Sequence, residues 1–450
     1  MSFLRYLIAL LCGAVPPALL LVGVYFTVRL HAFPFLRAGR VLRDLFPRRA
    51  AGGNSSLRAT MMALGGTVGV GNIAGVALAL LTGGAGAVFW MWVCAVFAMI
   101  LKYAEITLAM DSRTPDGKGS YTGGIAHAMR RAGWRRAGGL FAALCLAYTL
   151  LVGGAIQANA IADCLSDCFA TPTWLVGGIL VAISLPVAIG GGKKIAALTA
   201  RLVPAMCLLY MAAATAVILT HAWRLPTAFS AIFAGAFDTS AAAGGAFGFL
   251  FTRAARVGAA RGLMSNEGGC GTAPMAHVTA TEAVAAKQGL FGIFEVFADT
   301  IVICTLTALM LLCAFPSLPA GIGGMALVRG ALSTVFGRAA GGLLSLSLFL
   351  FAYATILCEL FYGQVCLSYF KNTRVARGAY FLVFGVALFF GAVARVGAVW
   401  QLTDVLLAAM TFLNLAFLCR HAGRIVTLTA EGGYIRAKNV RNLPKRNNTL

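Results

Sequence analysis

Long apolar runs, separated by short basic segments, constrain this chain more than any other feature. A helix crossing a bilayer needs roughly 20 apolar residues. The sequence holds about eleven such stretches, among them 140–162 and 343–370. Of the 450 residues, 60% are hydrophobic and 11% charged, whereas a soluble domain carries about 25% charged residues. Most of the chain therefore has no charge with which to face water. A soluble multidomain enzyme, a disordered protein and a secreted disulfide scaffold are excluded. A transmembrane barrel needs short alternating strands, which these runs are not. The expected class is an all-α polytopic membrane protein.

The formal charge is +22, from 36 Lys+Arg against 14 Asp+Glu. Cytoplasmic loops concentrate Lys and Arg, and no basic stretch is interleaved with stacking aromatics, so nucleic acid is not an expected partner. The 12 Cys are scattered, mostly inside apolar runs (Cys94, Cys145, Cys207, Cys304, Cys358). They read as small buried hydrophobes, and nothing marks Cys164 and Cys168 as ligands or as a bridge.

The first stretch, about Phe3 to Val28 with Pro16-Pro17 inside, is too long for a cleaved signal peptide and reads as a retained helix. An amphipathic Arg-rich segment follows at 36–50. Ten core helices are expected at 58–81, 86–110, 138–165, 173–190, 199–221, 244–283, 289–314, 338–370, 377–395 and 398–419. The sixth is too long and too polar to be continuous. With an outside N-terminus, the inside segments 29–58, 111–136, 193–201, 287, 371–377 and 420–446 hold 27 of the 36 basic residues. The C-terminus is then cytoplasmic.

Ten helices suggest two antiparallel repeats of five, whose sites form where the first helix of each repeat is broken. The expected units are 1–57 (leading helix and linker), 58–221 and 222–420 (the repeats), and 421–450 (basic tail). Gly65-Gly66-Thr67-Val68-Gly69-Val70-Gly71-Asn72 interrupts the first core helix, and Ser265-Asn266-Glu267-Gly268-Gly269-Cys270-Gly271-Thr272 the sixth. A lipid-spanning helix satisfies its peptide groups internally, and glycine clusters lower the cost of leaving that geometry. Freed carbonyls face a cation, and freed N–H groups at a helix N-terminus face an anion. Close helix packing alone explains Gly65 and Gly69. It does not call for Thr67, Asn72, Asn266 and Glu267 in the same two stretches.

The run from Gly65 to Val76, continuing through Gly83-Gly84-Ala85-Gly86-Ala87-Val88-Phe89-Trp90-Met91-Trp92, resembles the alanine/glycine:cation symporter family. So do Arg261-Gly262-Leu263-Met264-Ser265-Asn266-Glu267-Gly268-Gly269-Cys270-Gly271, Gly191-Gly192-Lys193-Lys194-Ile195, Asp299-Thr300 with Cys304-Thr305, and Thr355-Ile356-Leu357 with Tyr362-Gly363. The resemblance covers about residues 55 to 420. It implies a bacterial inner-membrane secondary transporter, not an enzyme, with the inverted-repeat fold of the amino-acid:sodium symporters. It further implies alanine or glycine uptake coupled to Na⁺, sometimes H⁺, with no cofactor.

By the same resemblance, the carbonyls of Gly65, Val68 and Ala352 and the Thr355 hydroxyl face one Na⁺. Such neutral oxygens suit a hard cation, although a helical Thr hydroxyl also bonds back to its own i−4 carbonyl. The substrate carboxylate is expected near Val70 and Gly71, beside Thr67 and Asn72, with Gln157, Ser265 and Asn266 as further polar contacts. Asn159 reads as a helix–helix hydrogen bond. Glu267 either holds the second break by accepting freed N–H groups or pairs with Arg261. Lys102 and Glu105, one turn apart, read as a structural pair or a snorkelling Lys. Asp299 and Glu295 read as ambiguous polar contacts, and His127 and His277 as helix-end contacts.

Glu359 departs from the pattern, since relatives commonly carry Trp one turn beyond the matching Thr. Cys358, Gln364, Gly269, Cys270 and Gly123-Gly124-Ile125 depart as well. Glu359 is read as a substrate-pocket residue: a site for H⁺ coupling, an attractor of a larger or cationic amino acid, or a member of a structural polar pair. No phosphate loop, paired-His zinc motif or nucleophile elbow is present in the sequence. The rivals are a transport-inactive membrane sensor and a cation channel. The substrate's side chain, the number of Na⁺ per cycle and the oligomeric state are left open.

Overall fold

The computed structural model describes residues 2–45, 54–117, 119–237, 253–319, 321–394 and 396–435. Among these, seven helices are long and apolar enough to cross a membrane. They are eight when the bent pair Ser55–Thr67 and Gly71–Gly83, meeting at 53°, counts as one span. Thr173–Ile189 and Gly13–Arg29, the latter a portion of the leading helix, are shorter apolar stretches. The leading helix runs Ser2–Arg29 straight through Pro16 and Pro17. The amphipathic segment is helical over Ala38–Leu45, after a short turn of helix at Phe33–Leu36, and 46–50 of the expected 36–50 stretch lie outside the described residues.

The second core helix, Gly86–Asp111, sits at the centre, and 72% of its most apolar stretch is buried. It packs against the leading helix, the sixth core helix (Arg253–Asn266) and the start of the seventh (Ala285–Val296). The eighth core helix, Ala340–Phe370, packs on the first, third and fifth. By contrast, only 33% of the corresponding stretch of Arg374–Val393 is buried. Val375, Leu382 and Phe390 project outward from that helix. Exposed apolar residues of this kind suit a lipid surface, so the centre is polar and the rim apolar.

The sixth stretch, 244–283, is discontinuous as expected: a helix over Arg253–Asn266, a break, and one short turn, Pro274–His277; the beginning of that range, 244–252, lies outside the described residues. The expected boundaries need correction elsewhere. The fifth core helix starts earlier, at Gly191. Two helices too short to span, Leu225–Ala236 and Gly324–Phe336, flank the fifth and eighth core helices and were not anticipated. The expected tail folds first into a helix, Ala422–Glu431, and everything beyond 435 lies outside the described residues.

The two ends of the described chain close on each other. Arg37 Nη1 donates to the Tyr434 carbonyl (2.7 Å), and the Tyr434 hydroxyl donates to Asp44 (2.9 Å). Arg424 forks onto the Asp111 carboxylate at 2.8 and 2.6 Å, tying the terminal helix to the central one. Such two-pronged pairs fix orientation as well as adding energy.

Candidate functional site

Both glycine-rich stretches break. The first core helix stops at Thr67 and resumes as a π turn over Gly71–Gly75. The gap is held by Asn72, whose Oδ1 accepts the Gly69 N–H at 3.0 Å while its own N–H reaches the Gly69 carbonyl at 3.2 Å. The second gap opens after Asn266. Glu267 adopts φ +49°, and Gly269 and Gly271 have φ of +85° and +83°. Glycine takes that conformation freely, whereas Glu267 is held in it at a cost. Asn266 Oδ1 accepts the Gly268 N–H at 2.9 Å, so each gap carries an asparagine that caps it.

The gaps are joined to each other. Asn72 Nδ2 donates to Ser265 Oγ (3.0 Å) and to Asp299 Oδ1 (2.7 Å). Ser265 and Thr300 both donate to Asp299 Oδ2, at 2.6 and 2.8 Å, and Asn266 Nδ2 donates to Thr300 at 3.2 Å. Asp299 is fully buried in a π segment, Phe297–Cys304, of the seventh core helix. Its role was open in the sequence; here it is the knot between the two breaks.

Thr355, one of the expected Na⁺ ligands, meets another. Its Oγ1 lies 3.0 Å from the Gly65 carbonyl and 3.2 Å from the Phe351 carbonyl, the i−4 group of its own helix. The back-bond to its own helix is present, and the same hydroxyl also reaches the carbonyl of an expected co-ligand. A Cβ on Gly69 would stand 2.8 Å from the same oxygen, so only glycine leaves the approach open. Val68 and Ala352 are buried beside these groups. Gln157 lies directly after the π segment Leu150–Ile156 and faces Gly69; it is buried with its Oε1 unpartnered. Thr67 reaches Glu295 at 3.4 Å, and Val70 is buried in the first gap with Gly71 next to it.

Several charged groups sit differently from expectation. Lys102 neither snorkels nor pairs with Glu105: it is fully buried, 3.2 Å from Glu295 on the seventh core helix. Glu295 also meets His277 Nε2 at 3.0 Å, and His277 Nδ1 meets Gln288 at 2.9 Å. Glu267 braces the second gap through hydroxyls, accepting Tyr148 at 2.6 Å and Thr272 at 2.5 Å. The freed Gly271 N–H goes instead to Glu105 (3.1 Å), and Asn414 ties Glu105 to the Gly269 carbonyl, both at 2.8 Å. Arg261 donates to the Met264 sulfur at 3.3 Å rather than to Glu267. Asn159 donates to the Ala394 carbonyl at 3.1 Å, a bond between helices as expected.

Tyr148 and Asn414 escaped the sequence reading, and Thr300 entered it only as part of a matching stretch, without a role. Asn414 had a usable signal, a lone amide in an apolar run, since polar groups at membrane depth turn inward. Tyr148 had none, because a tyrosine in an apolar helix is ordinarily a packing residue.

A model of the sodium:alanine symporter family matches residues 3–445. The sodium/alanine symporter AgcS of Methanococcus maripaludis is 34% identical, over 97% of this chain and 96% of its own. The probable sodium/glutamine symporter GlnT of Bacillus subtilis is 34% identical, over 88% and 83%. Among solved structures, an Eremococcus coleocola manganese transporter mutant superposes with a TM-score of 0.53 at 14% identity, covering 85% of this chain and 80% of its own. MhsT in complex with L-phenylalanine gives 0.50 at 14%, covering 85% and 90%. These two likenesses speak for the fold alone. With its helical core, its paired breaks and a match along nearly its whole length, the chain belongs to the sodium:alanine symporter family, integral membrane transporters rather than enzymes.

Proposed function

We propose that this protein imports a small neutral amino acid, alanine or glycine foremost, by symport with Na⁺ through alternating access. The observation that carries the reading is the junction of two interrupted helices, tied by Asn72 to Ser265 (3.0 Å) and to Asp299 (2.7 Å), with Thr355 of the eighth core helix 3.0 Å from the Gly65 carbonyl of the first. Na⁺ would sit among the oxygens of Gly65, Val68, Ala352 and Thr355. The substrate carboxylate would lie against peptide N–H groups at Val70 and Gly71, beside Thr67, where the partial positive charge of a helix start favours an anion. Gln157, with a free amide oxygen, is the side chain best placed to take the ammonium group. Asn72, Ser265 and Asn266 bond to one another's segments and to Asp299 and Thr300. Their part is to hold the gap in shape for the ligand.

The wider layout belongs to the same proposal: repeats at 58–221 and 222–420, N-terminus outside, C-terminus cytoplasmic. AgcS and GlnT carry sodium with alanine and glutamine in their names, which supports Na⁺ and an amino acid as the pair carried here. The test is uptake of a panel of radiolabelled amino acids into proteoliposomes, with Na⁺ and H⁺ gradients imposed separately. Accumulation of alanine or glycine only under an inward Na⁺ gradient is expected. Binding without uptake or counterflow would overturn the reading in favour of a sensor, and ion current independent of amino acid would favour a channel.

A further inference from the structure

Symport by Na⁺ leaves one group at the centre unused. Glu359 lies one turn beyond Thr355, fully buried, and neither of its carboxyl oxygens has a hydrogen-bond partner among the described residues. Packing alone holds it. A Cβ on Gly153, in the π segment of the third core helix, would stand 2.3 Å from the Glu359 Cβ, and Phe384 closes the same contact from the ninth. The close approach of these helices seals the carboxyl from water.

The titratable groups bearing on Glu359 can be named by element. The second break contributes Glu267, the third core helix Cys145 and Tyr148, and the ninth Tyr380. Its own helix adds Cys358, Tyr362 and Cys366. No Lys, Arg or His is among them. Glu267 already acts as an acceptor at both oxygens, toward Tyr148 and Thr272. A second anion beside it, without a donor and without a cation, is costly in a dry interior, and neighbouring carboxyls avoid ionising together.

We propose that Glu359 is a proton-binding site of the transport cycle, neutral in this closed arrangement and ionised when the site opens to water. The inference rests on the symport reading and adds H⁺ as a second coupled ion. A proton passes from water at the open mouth onto the Glu359 carboxylate. It crosses as the O–H of the acid and returns to water on the other side, with no other bond made or broken. Because Tyr148 links the neighbourhood of Glu359 to Glu267, the proton also protects the brace that shapes the second gap. Acidification therefore favours closure, by linkage.

Two measurements test this. The first needs no transport: infrared spectra of the purified full chain at neutral pH, wild type against Glu359→Gln. Loss of a protonated carboxylic C=O band in the variant is expected; a band absent from wild type, or undiminished in E359Q, overturns the proposal. The second uses proteoliposomes holding a pH-sensitive dye, with alanine as probe and an inward Na⁺ gradient. Wild type is expected to move protons with alanine, Glu359→Gln to lose both that signal and the pH dependence of uptake, and Glu359→Asp to regain them. Proton movement per alanine unchanged in E359Q, or alanine uptake by wild type without proton movement, overturns it. Failure of all alanine uptake alongside a lost infrared band would sink the symport reading and leave the protonated Glu359 standing.

Discussion

Thr355 has one hydroxyl proton and two carbonyls within reach, at 3.0 and 3.2 Å. Donating to one of them leaves its lone pairs for a cation, which is why the back-bond and the ligand role do not compete. Thr355→Val keeps the shape and removes the oxygen. A bond to a charged partner contributes about 1.5–3 kcal/mol, so the Na⁺ concentration for half-maximal uptake should rise about tenfold or more, with Ser restoring it. An unchanged Na⁺ curve would remove Thr355 from the site. Lys102 makes a different kind of contribution. Its ammonium and Glu295 are both buried, and stripping one partner from such a pair costs about 3–5 kcal/mol. Lys102→Met should therefore lower the unfolding temperature in detergent sharply, and adding Glu295→Gln should recover part of the loss. A single variant that melts like wild type would mean that water or another cation already compensates Glu295.

At the scale of elements, three π segments converge on one place: Gly71–Gly75, Leu150–Ile156 and Phe297–Cys304. Each contains or adjoins a polar group at the junction, respectively Asn72, Gln157 and Asp299. A widened turn re-aims side chains and relaxes the i→i−4 ladder, a device common at functional sites. The glycine gaps were legible in the sequence because clustered glycines and polar residues violate the pattern of a lipid-spanning helix. The π turns were not, because one extra residue in a uniformly apolar run leaves no periodic trace. Nor were the ties between Asn72 and Asp299 or between Lys102 and Glu295, which join residues about 200 apart in the chain and follow from packing alone. The distinction between frame and pocket can be measured. Asn72→Ala strands the Gly69 N–H and unties Asp299 and Ser265, each stranded group costing about 1–3 kcal/mol, so both melting temperature and uptake should fall. Gln157→Ala removes an amide whose oxygen has no partner, so uptake should fall while the melting temperature holds. Equal loss of stability in both variants would make Gln157 part of the frame.

For the whole molecule, charge and apolarity divide the labour. The buried second core helix and its polar neighbours form a polar centre, while poorly covered helices such as Arg374–Val393 present apolar flanks. The all-helical membrane class and the two helix breaks were readable because a bilayer admits few solutions for a chain this apolar. Leu225–Ala236 and Gly324–Phe336 were not, being too short to register as spans. One consequence of the joined gaps belongs to the molecule as a whole. If amino acid and Na⁺ occupy one junction, each stabilises the same closed arrangement, and the coupling must be reciprocal. Each ligand present at a hundred times its Kd adds about 2.7 kcal/mol to stability, so the unfolding temperature should climb with alanine in NaCl. Replacing NaCl by KCl should reduce the alanine effect, and the factor by which alanine tightens Na⁺ should equal the factor by which Na⁺ tightens alanine. An alanine-induced rise of the same size in both salts would put ion and amino acid at separate, uncoupled sites, and a tightly tied junction of two broken helices would then lack its purpose.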